Sequence, residues 1–260
     1  PTAHAPRFLR AFLGGLLLLA GYLGARKMLH PAVPPKQSEA VAEDDVQRIV
    51  AASPKADAAL ALTGDKRFIV AEEGDALVMY GIHGRSWISM GDPIGSHDSA
   101  SDLIHEFMDM AKFHRGRPVF YEVSDEFLGD YAEFGLRFFK LGEEAIIDLS
   151  EFSLEGRHRK GLRYVERKLE REGYVTEFWE PEELAAILHE LKGVSDEWLN
   201  ARNTREKGFS LGRFDGTLLS RFPVATVRRD GHVIAFATLW RGAGRAELSV
   251  DLMRYRVDAP

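Results

Sequence analysis

The sequence predicts a mixed α/β protein of two similar modules in tandem, carried behind an apolar N-terminal helix. Three observations predict it. Residues 11–25 form an apolar run, AFLGGLLLLAGYLGA. The rest of the chain twice repeats a rhythm of short β-rich runs and amphipathic helical stretches. And 45% hydrophobic content in 260 residues is enough to bury a core. There are no cysteines, which excludes disulfide staples, thiolate nucleophiles and cysteine-type zinc or iron–sulfur sites. The net charge of −6 argues against wholesale electrostatic binding of nucleic acid, so any polyanion site must be local.

The apolar run is the first element. Phe8 and Leu9 extend it past Arg10, and it reaches the roughly 20 residues a bilayer span needs if Arg10 snorkels to the interface. A secretory signal is the rival, with Arg7 and Arg10 as its basic start, but no A-x-A cleavage site follows. Residues 1–30 therefore read as a transmembrane helix, and 31–45, with Pro31, Pro34 and Pro35, as a linker. Arg26, Lys27 and His30 follow the run while Arg7 and Arg10 precede it, so orientation is only weakly set. The chain begins at Pro1 rather than Met and reads as a piece of a longer protein.

Helical spacing of Val41, Val46, Ile49 and Val50 predicts a helix over 38–59. Runs 67–71, 76–82 and 86–91, split by Gly74-Asp75 and His83-Gly84, predict an antiparallel meander. A helix over 101–114 follows, with Ser99 or Ser101 as its cap. Next come a strand over 118–123, a short helix over 125–134, and strands over 138–142 and 145–149. The second module begins near residues 150–155. It reads as a helix over 156–172, a strand over 174–179, a helix over 181–200, and strands over 223–229, 232–240 and 246–253, with Asp230-Gly231 as a hairpin turn. Domains are thus expected at 46–152 and 153–260. The second should need a further covering helix and closing strand, so it is expected to be incomplete here.

Three stretches can carry chemistry. The 156–173 segment holds seven Lys or Arg against three Glu. Helical spacing puts Lys160, Arg163, Arg167 and Arg171 on one face and Leu162, Val165 and Leu169 on the opposite one, which is expected to pack inward. Such a stripe is commonly a solvated surface, but its like charges would be relieved by phosphates of lipid or RNA. In the last strand, Leu248, Val250 and Leu252 are expected to face a core, leaving Glu247, Ser249, Asp251 and Met253 on the other side. If that side lines a cleft, Asp251 can take a proton from a hydroxyl or hold an ammonium. Arg254 has the wrong parity for that face, so the strand must bend or end there. Finally, 207–215 mixes glycine, Phe209, Arg213 and Asp215 in a connector, the kind of place where loops carry function.

The segment Arg241–Ala246 fits the R-x-x-G-x-A cradle of acetyl-coenzyme A enzymes, yet it joins two strands, whereas a phosphate cradle needs a helix N-terminus. The sequence lacks the G-x-S-x-G, H-E-x-x-H and P-loop patterns, and its histidines do not cluster with metal-ligand spacing. No metal and no cofactor is predicted.

FSLGRFD (209–215), PVATVRRDGHVIAFATLW (223–240), ELSVDLMRYRVDAP (247–260), RKGLRYVERKLEREGY (159–174) and WISMGDPIG (87–95) together resemble the phosphatidylglycerol lysyltransferase family, also called multiple peptide resistance factors. The resemblance implies tandem GNAT-like, acyltransferase-type domains on the cytoplasmic side of the bacterial inner membrane, with a flippase membrane domain upstream. It implies transfer of an aminoacyl group, lysyl favoured, from aminoacyl-tRNA to the glycerol hydroxyl of phosphatidylglycerol, a lipid change that resists cationic antimicrobial peptides. It implies Asp251 and Arg254 as catalytic residues. Glu247, Ser249, Arg213, Asp215, Lys160, Arg163 and Arg167 would be substrate-binding, and an oligomer is possible. An alanyl-transferring homologue, an acetyl-coenzyme A enzyme and a non-catalytic tethered module binding RNA or anionic lipid are the alternatives.

Overall fold

A computed structural model describes residues 5–29 and 42–259. Helix α1 runs Ala5–Leu29, and its 19-residue stretch Phe8–Arg26 is long and apolar enough to cross a bilayer, with none of it buried. Most of the expected linker, including Pro31, Pro34 and Pro35, lies outside the described residues.

The helix expected over 38–59 is divided at Pro54. The ring of a proline pushes the preceding residue out of the helical region, and Ser53 and Lys55 are both extended. Helix α2 (Glu43–Ala52) therefore stops there, and a 3-10 helix follows over Ala56–Thr63. Strands β1 (Arg67–Val70), β2 (Ala76–His83) and β3 (Ser86–Met90) make the predicted antiparallel meander, and the two-residue β4 (Ile94–Gly95) pairs with β2. Helix α3 (Ala100–Phe113) crosses over to β5 (Arg117–Tyr121), which lies parallel to β3. Ser99 occupies the cap position of α3, but its hydroxyl donates to Asp75 rather than capping the helix. Helix α4 spans Leu128–Glu133.

The strands expected at 138–142 and 145–149 do not form. Residues 136–148 have no regular structure, and Phe139 and Ile146 are more than four-fifths exposed. β-Propensity is realised only where a neighbouring strand completes the ladder, and no described strand pairs with this segment.

The second sheet is antiparallel throughout, in the order β6 (Tyr174–Trp179), β7 (Val224–Arg229), β8 (His232–Arg241), β9 (Leu248–Tyr255). The β7–β8 turn is Asp230-Gly231, both at positive φ, as a tight hairpin of this kind requires. Helix α5 (Lys160–Arg171) precedes β6. A 3-10 helix (Pro181–Ala186), α6 (Leu188–Ala201) and the single-turn α7 (Gly216–Leu219) lie between β6 and β7. One face of the sheet packs on α6, where Leu191 and Val194 meet Val224, Phe236 and Leu252. The inward packing expected of α5 is not found. The helix buries no residue, and Leu162 and Val165 are about half exposed. An amphipathic pattern says which face can pack but does not supply a surface to receive it.

The two sheets share a core. Trp240 of β8 joins Val46, Ile49, Leu60 and Leu77 in one buried cluster, with Phe222 against it. The Ala243 amide donates to the Ser53 carbonyl at 2.7 Å. A Cβ at Gly242 would lie 1.8 Å from the Pro54 carbonyl oxygen, so only glycine allows this approach. Trp240→Ala is expected to cost about 3–5 kcal/mol of stability, measurable by denaturant unfolding, because it empties the centre of that joint core.

Candidate functional site

The site is built at an irregularity in β9. Between Ala237 and Leu239 of β8 the register shifts, so that Met253 pairs with Ala237 and Val250 with Leu239, and both Asp251 and Leu252 sit opposite Thr238. A bulge of this kind turns two successive residues to the same side of the strand. Before it, Ser249 and Asp251 are half-buried while Leu248 and Val250 are exposed. After it, Leu252 and Arg254 are buried while Met253 and Tyr255 are exposed. Of the three residues expected to face a core, only Leu252 does so. The bend inferred from the parity of Arg254 is present, and it brings Asp251 and Arg254 onto one wall.

That wall closes a cavity of about 320 Å³ between β9, the end of α6 and the 204–212 loop. Asp251 Oδ1 accepts the Gly212 amide at 2.8 Å. The Leu252 amide donates to Thr238 Oγ1 at 2.9 Å, and the Thr238 hydroxyl bonds Asp251. Burial pushes the Asp251 carboxyl above the usual carboxylate range, against the opposing pull of the Gly212 and Leu252 amides, the Arg254 charge and Thr238. A carboxyl held in this way accepts a proton more readily than a solvated one.

Arg254 is 4% exposed. It makes a two-pronged pair with Glu206, both contacts at 2.7 Å, also donates to Ser195 Oγ, and stands 5.4 Å over the Trp198 ring. At the rim, the Arg202 guanidinium lies 4.3 Å from the Trp198 ring centre and 4.9 Å from that of Tyr255, and donates to the Tyr255 hydroxyl. Arg202, Arg205 and Lys207 thus set three cations around a cavity whose acids are Asp251 and Glu206. The Trp198 indole N–H, on the same wall, is buried without an acceptor among the described residues.

The remaining sequence candidates lie elsewhere. Asp215 caps α7, its Oδ1 accepting the Thr217 and Leu218 amides at 2.9 and 3.0 Å. Arg213 lies 4.0 Å from Asp215 and turns toward Gly64 of the first half. Ser249 pairs across to Trp240, and Glu247 precedes β9 near Asp57, whose carboxyl is raised by burial and then by that neighbouring charge. None of these four lines the cavity. Lys160, Arg163 and Arg167 share an open face of α5 with Arg171, and Arg163 also donates to the Leu154 and Gly156 carbonyls. The sequence does not single out Glu206, Ser195, Thr238 or the cations at 202, 205 and 207, although the last of these opens the 207–215 connector named above. Those three cations within six residues, just beyond a helix end, were the available signal.

Gly212 is as exacting as Asp251. A Cβ there would lie 1.9 Å from Asp251 Oδ2, so Gly212→Ala is expected to displace the carboxylate and to lower any activity that depends on it about 100-fold. Comparing kcat of the two proteins at matched folded fraction checks this.

Fold and cavity together define a two-sheet α/β protein whose second sheet presents a half-buried acid at a strand bulge, faced by cations from the segment after α6. Residues 47–260 match the family described as phosphatidylglycerol lysyltransferase, C-terminal, and the chain belongs to that family. It is 42% identical over 202 residues to the phosphatidylglycerol lysyltransferase of Bacillus subtilis, covering 77% of this chain and 23% of the relative. It is 38% identical over 197 residues to that of Staphylococcus aureus MRSA252, covering 75% and 23%. The chain therefore spans about a quarter of the length of these curated relatives. Among solved structures, L-PGS from Bacillus licheniformis superposes with a TM-score of 0.78 at 38% identity, covering 84% of this chain and 70% of that one. A C-terminal domain from Agrobacterium fabrum superposes with a TM-score of 0.81 at 42% identity and the same coverage.

Proposed function

We propose that this chain is the catalytic part of an enzyme that transfers lysine from lysyl-tRNA to phosphatidylglycerol. The observation that carries the reading is Asp251, an acid whose proton affinity is raised by burial, on the wall of a cavity rimmed by cations, in a chain of this family. The glycerol hydroxyl of the lipid attacks the ester carbonyl of the charged tRNA. A C–O bond forms to the lipid, the bond to the terminal ribose oxygen breaks, and the proton passes from the attacking hydroxyl to that leaving oxygen. Asp251 accepts the proton on the way, or holds the substrate ammonium. The ester already carries the driving force, so the step balances without a further co-reactant.

Arg202, Arg205 and Lys207 suit phosphate oxygens of either substrate. Arg254 is a strut in this reading, because Glu206 and Ser195 already engage both of its terminal nitrogens. Both sheets are read as GNAT-like. The meander, helical crossover and parallel strand of the first support this, as does the helix-then-meander order of the second. Helix α1 tethers the catalytic part to the membrane, with that part on the cytoplasmic side, where charged tRNA resides. The basic face of α5 meets RNA or lipid phosphates. Arg163→Glu with Arg167→Glu is expected to weaken tRNA or vesicle binding at least tenfold, with an effect that shrinks as salt rises, in a co-sedimentation titration.

The test incubates the full-length natural protein with phosphatidylglycerol and tRNA charged with radiolabelled lysine or alanine, and counts label in the lipid. Lysine label that requires Asp251 supports the reading. Alanine label alone changes the amino acid. No label from either, with vesicle binding intact, leaves a tethered binding module instead.

A further inference from the structure

The cavity loop is held at two points, and the second lies in the other half of the molecule. Gly212 gives its amide to Asp251. Three residues earlier, the Phe209 amide donates at 2.7 Å to Oδ2 of Asp65, which is 144 positions away in the chain. Asp65 sits in the turn between the 3-10 helix and β1, just after Gly64 at φ 76°. Its other oxygen is engaged by Lys66, whose side chain is fully enclosed, and lies 2.6 Å from the Thr63 hydroxyl. The Lys66 ammonium also donates to Thr63 at 3.1 Å and stands 5.4 Å from the Phe209 ring centre.

The loop is shaped to fit this anchor. A Cβ at Gly208 would come within 2.8 Å of Asp65 Oδ2, so glycine lets the loop backbone reach the carboxylate. Phe209 has φ 69°, a left-handed conformation that a bulky residue holds only when its surroundings fix it. Its ring presses on Gly81 of β2, where a Cβ would lie 3.0 Å away, and joins the core shared by the two sheets. Burial alone would raise the Asp65 carboxyl, but its bonds from Lys66, Thr63 and the Phe209 amide hold it below the usual carboxylate range. The acceptor is therefore ionised and strong at neutral pH.

We propose that Asp65, fixed by Lys66, is a positioning residue. By clamping Phe209 it holds the 208–212 loop so that the Gly212 amide stays on Asp251, and the first half of the chain thereby sets the geometry of an acid in the second. The inference rests on the reading of Asp251 as a group that acts on substrate.

Full-length protein carrying Asp65→Ala, Asp65→Asn, Asp251→Asn, or Asp65→Ala with Asp251→Asn tests it in the lipid-labelling assay. Asp65→Ala is expected to lower kcat about 30-fold with KM for lysyl-tRNA within about threefold, since a shift of about an ångström in a positioned group costs on the order of 100-fold. Asp65→Asn has one acceptor oxygen where the aspartate uses one for the Phe209 amide and one for Lys66 and Thr63, so it is expected to recover kcat only in part, to about tenfold below wild type. With Asp251 already replaced, removing Asp65 is expected to change the residual rate less than about twofold, as for two residues acting along one path. In parallel, hydrogen exchange of the 208–212 amides should speed at least tenfold in Asp65→Ala while that of α6 is unchanged. An unchanged kcat, an equal loss in the Asp251→Asn background, or unchanged exchange of the loop overturns the proposal. If Asp65→Ala fails to fold, Asp65→Asn decides it: kcat about tenfold below wild type together with faster exchange of the 208–212 amides supports the clamp, and wild-type values in both overturn it. If Asp251→Asn itself transfers lysine at the wild-type rate, the reading of Asp251 fails, and the exchange data alone then judge whether the clamp exists.

Discussion

Replacing Asp251 by asparagine is expected to lower the proposed lysyl transfer about 1000-fold while leaving the fold intact. Asparagine preserves size and can accept the Gly212 amide, but it cannot take a proton from an attacking hydroxyl, and general-base contributions run to about 100–10,000-fold. Because burial raises the Asp251 carboxyl above its unfolded value, the folded state binds more protons than the unfolded one between those two values. Ionised Asp251 thus detracts from stability above its folded value, and stability is regained as pH falls through that window. The same titration removes the base, so transfer should fall where stability rises. Measuring kcat and the unfolding free energy side by side over pH checks both signs, and the pH-dependent gain in stability should be smaller in Asp251→Asn. A wild-type rate in that variant would end the assignment.

The second large effect is on folding. Glu206→Ala is expected to destabilise the protein by about 3 kcal/mol, because it removes the direct carboxylate partner of the enclosed Arg254 guanidinium and leaves it Ser195, the Trp198 face and the more distant Asp251 charge. Glu206 is itself about one-third exposed, which places the effect at the lower end of the range for broken buried pairs. Replacing both partners by apolar residues, Glu206→Leu with Arg254→Met, should restore much of the loss, since the cost lies in stranding one charge rather than in losing the pair. Urea unfolding of the three variants distinguishes the cases. A Glu206→Ala protein as stable as wild type would show that Arg254 can reach solvent.

Much of this architecture is legible in the sequence. The β-rich runs 76–82 and 232–240, the Asp230-Gly231 turn and the helical period of 101–114 report local preferences that the fold then uses, while the helix expected over 181–200 is divided into a 3-10 turn over Pro181–Ala186 and α6. Asp251 and Arg254 stand out in the sequence as polar residues in a largely apolar strand, and the structure places both on the cavity wall, where Arg254 is paired to Glu206. The failures share a cause. For 138–149, β-propensity had no ladder to join. For α5, the apolar stripe had no surface to meet. In β9, a strict alternation placed Leu248 and Val250 inward, whereas one inserted residue reverses which face each side chain takes.

What each segment prefers can be read along the chain: most of the helices and strands, the apolar N-terminal run, the basic face of α5 and the family follow from backbone sterics and side-chain chemistry alone. Tertiary structure decided which groups meet. The bulge at Asp251–Leu252, the Glu206 partner of Arg254, the Gly212 amide and the reach of Asp65 to Phe209 depend on residues from 14 to 144 positions apart. Such contacts exist only once burial of the shared core around Trp240 has fixed the two sheets together, and no local preference along the chain encodes that distance.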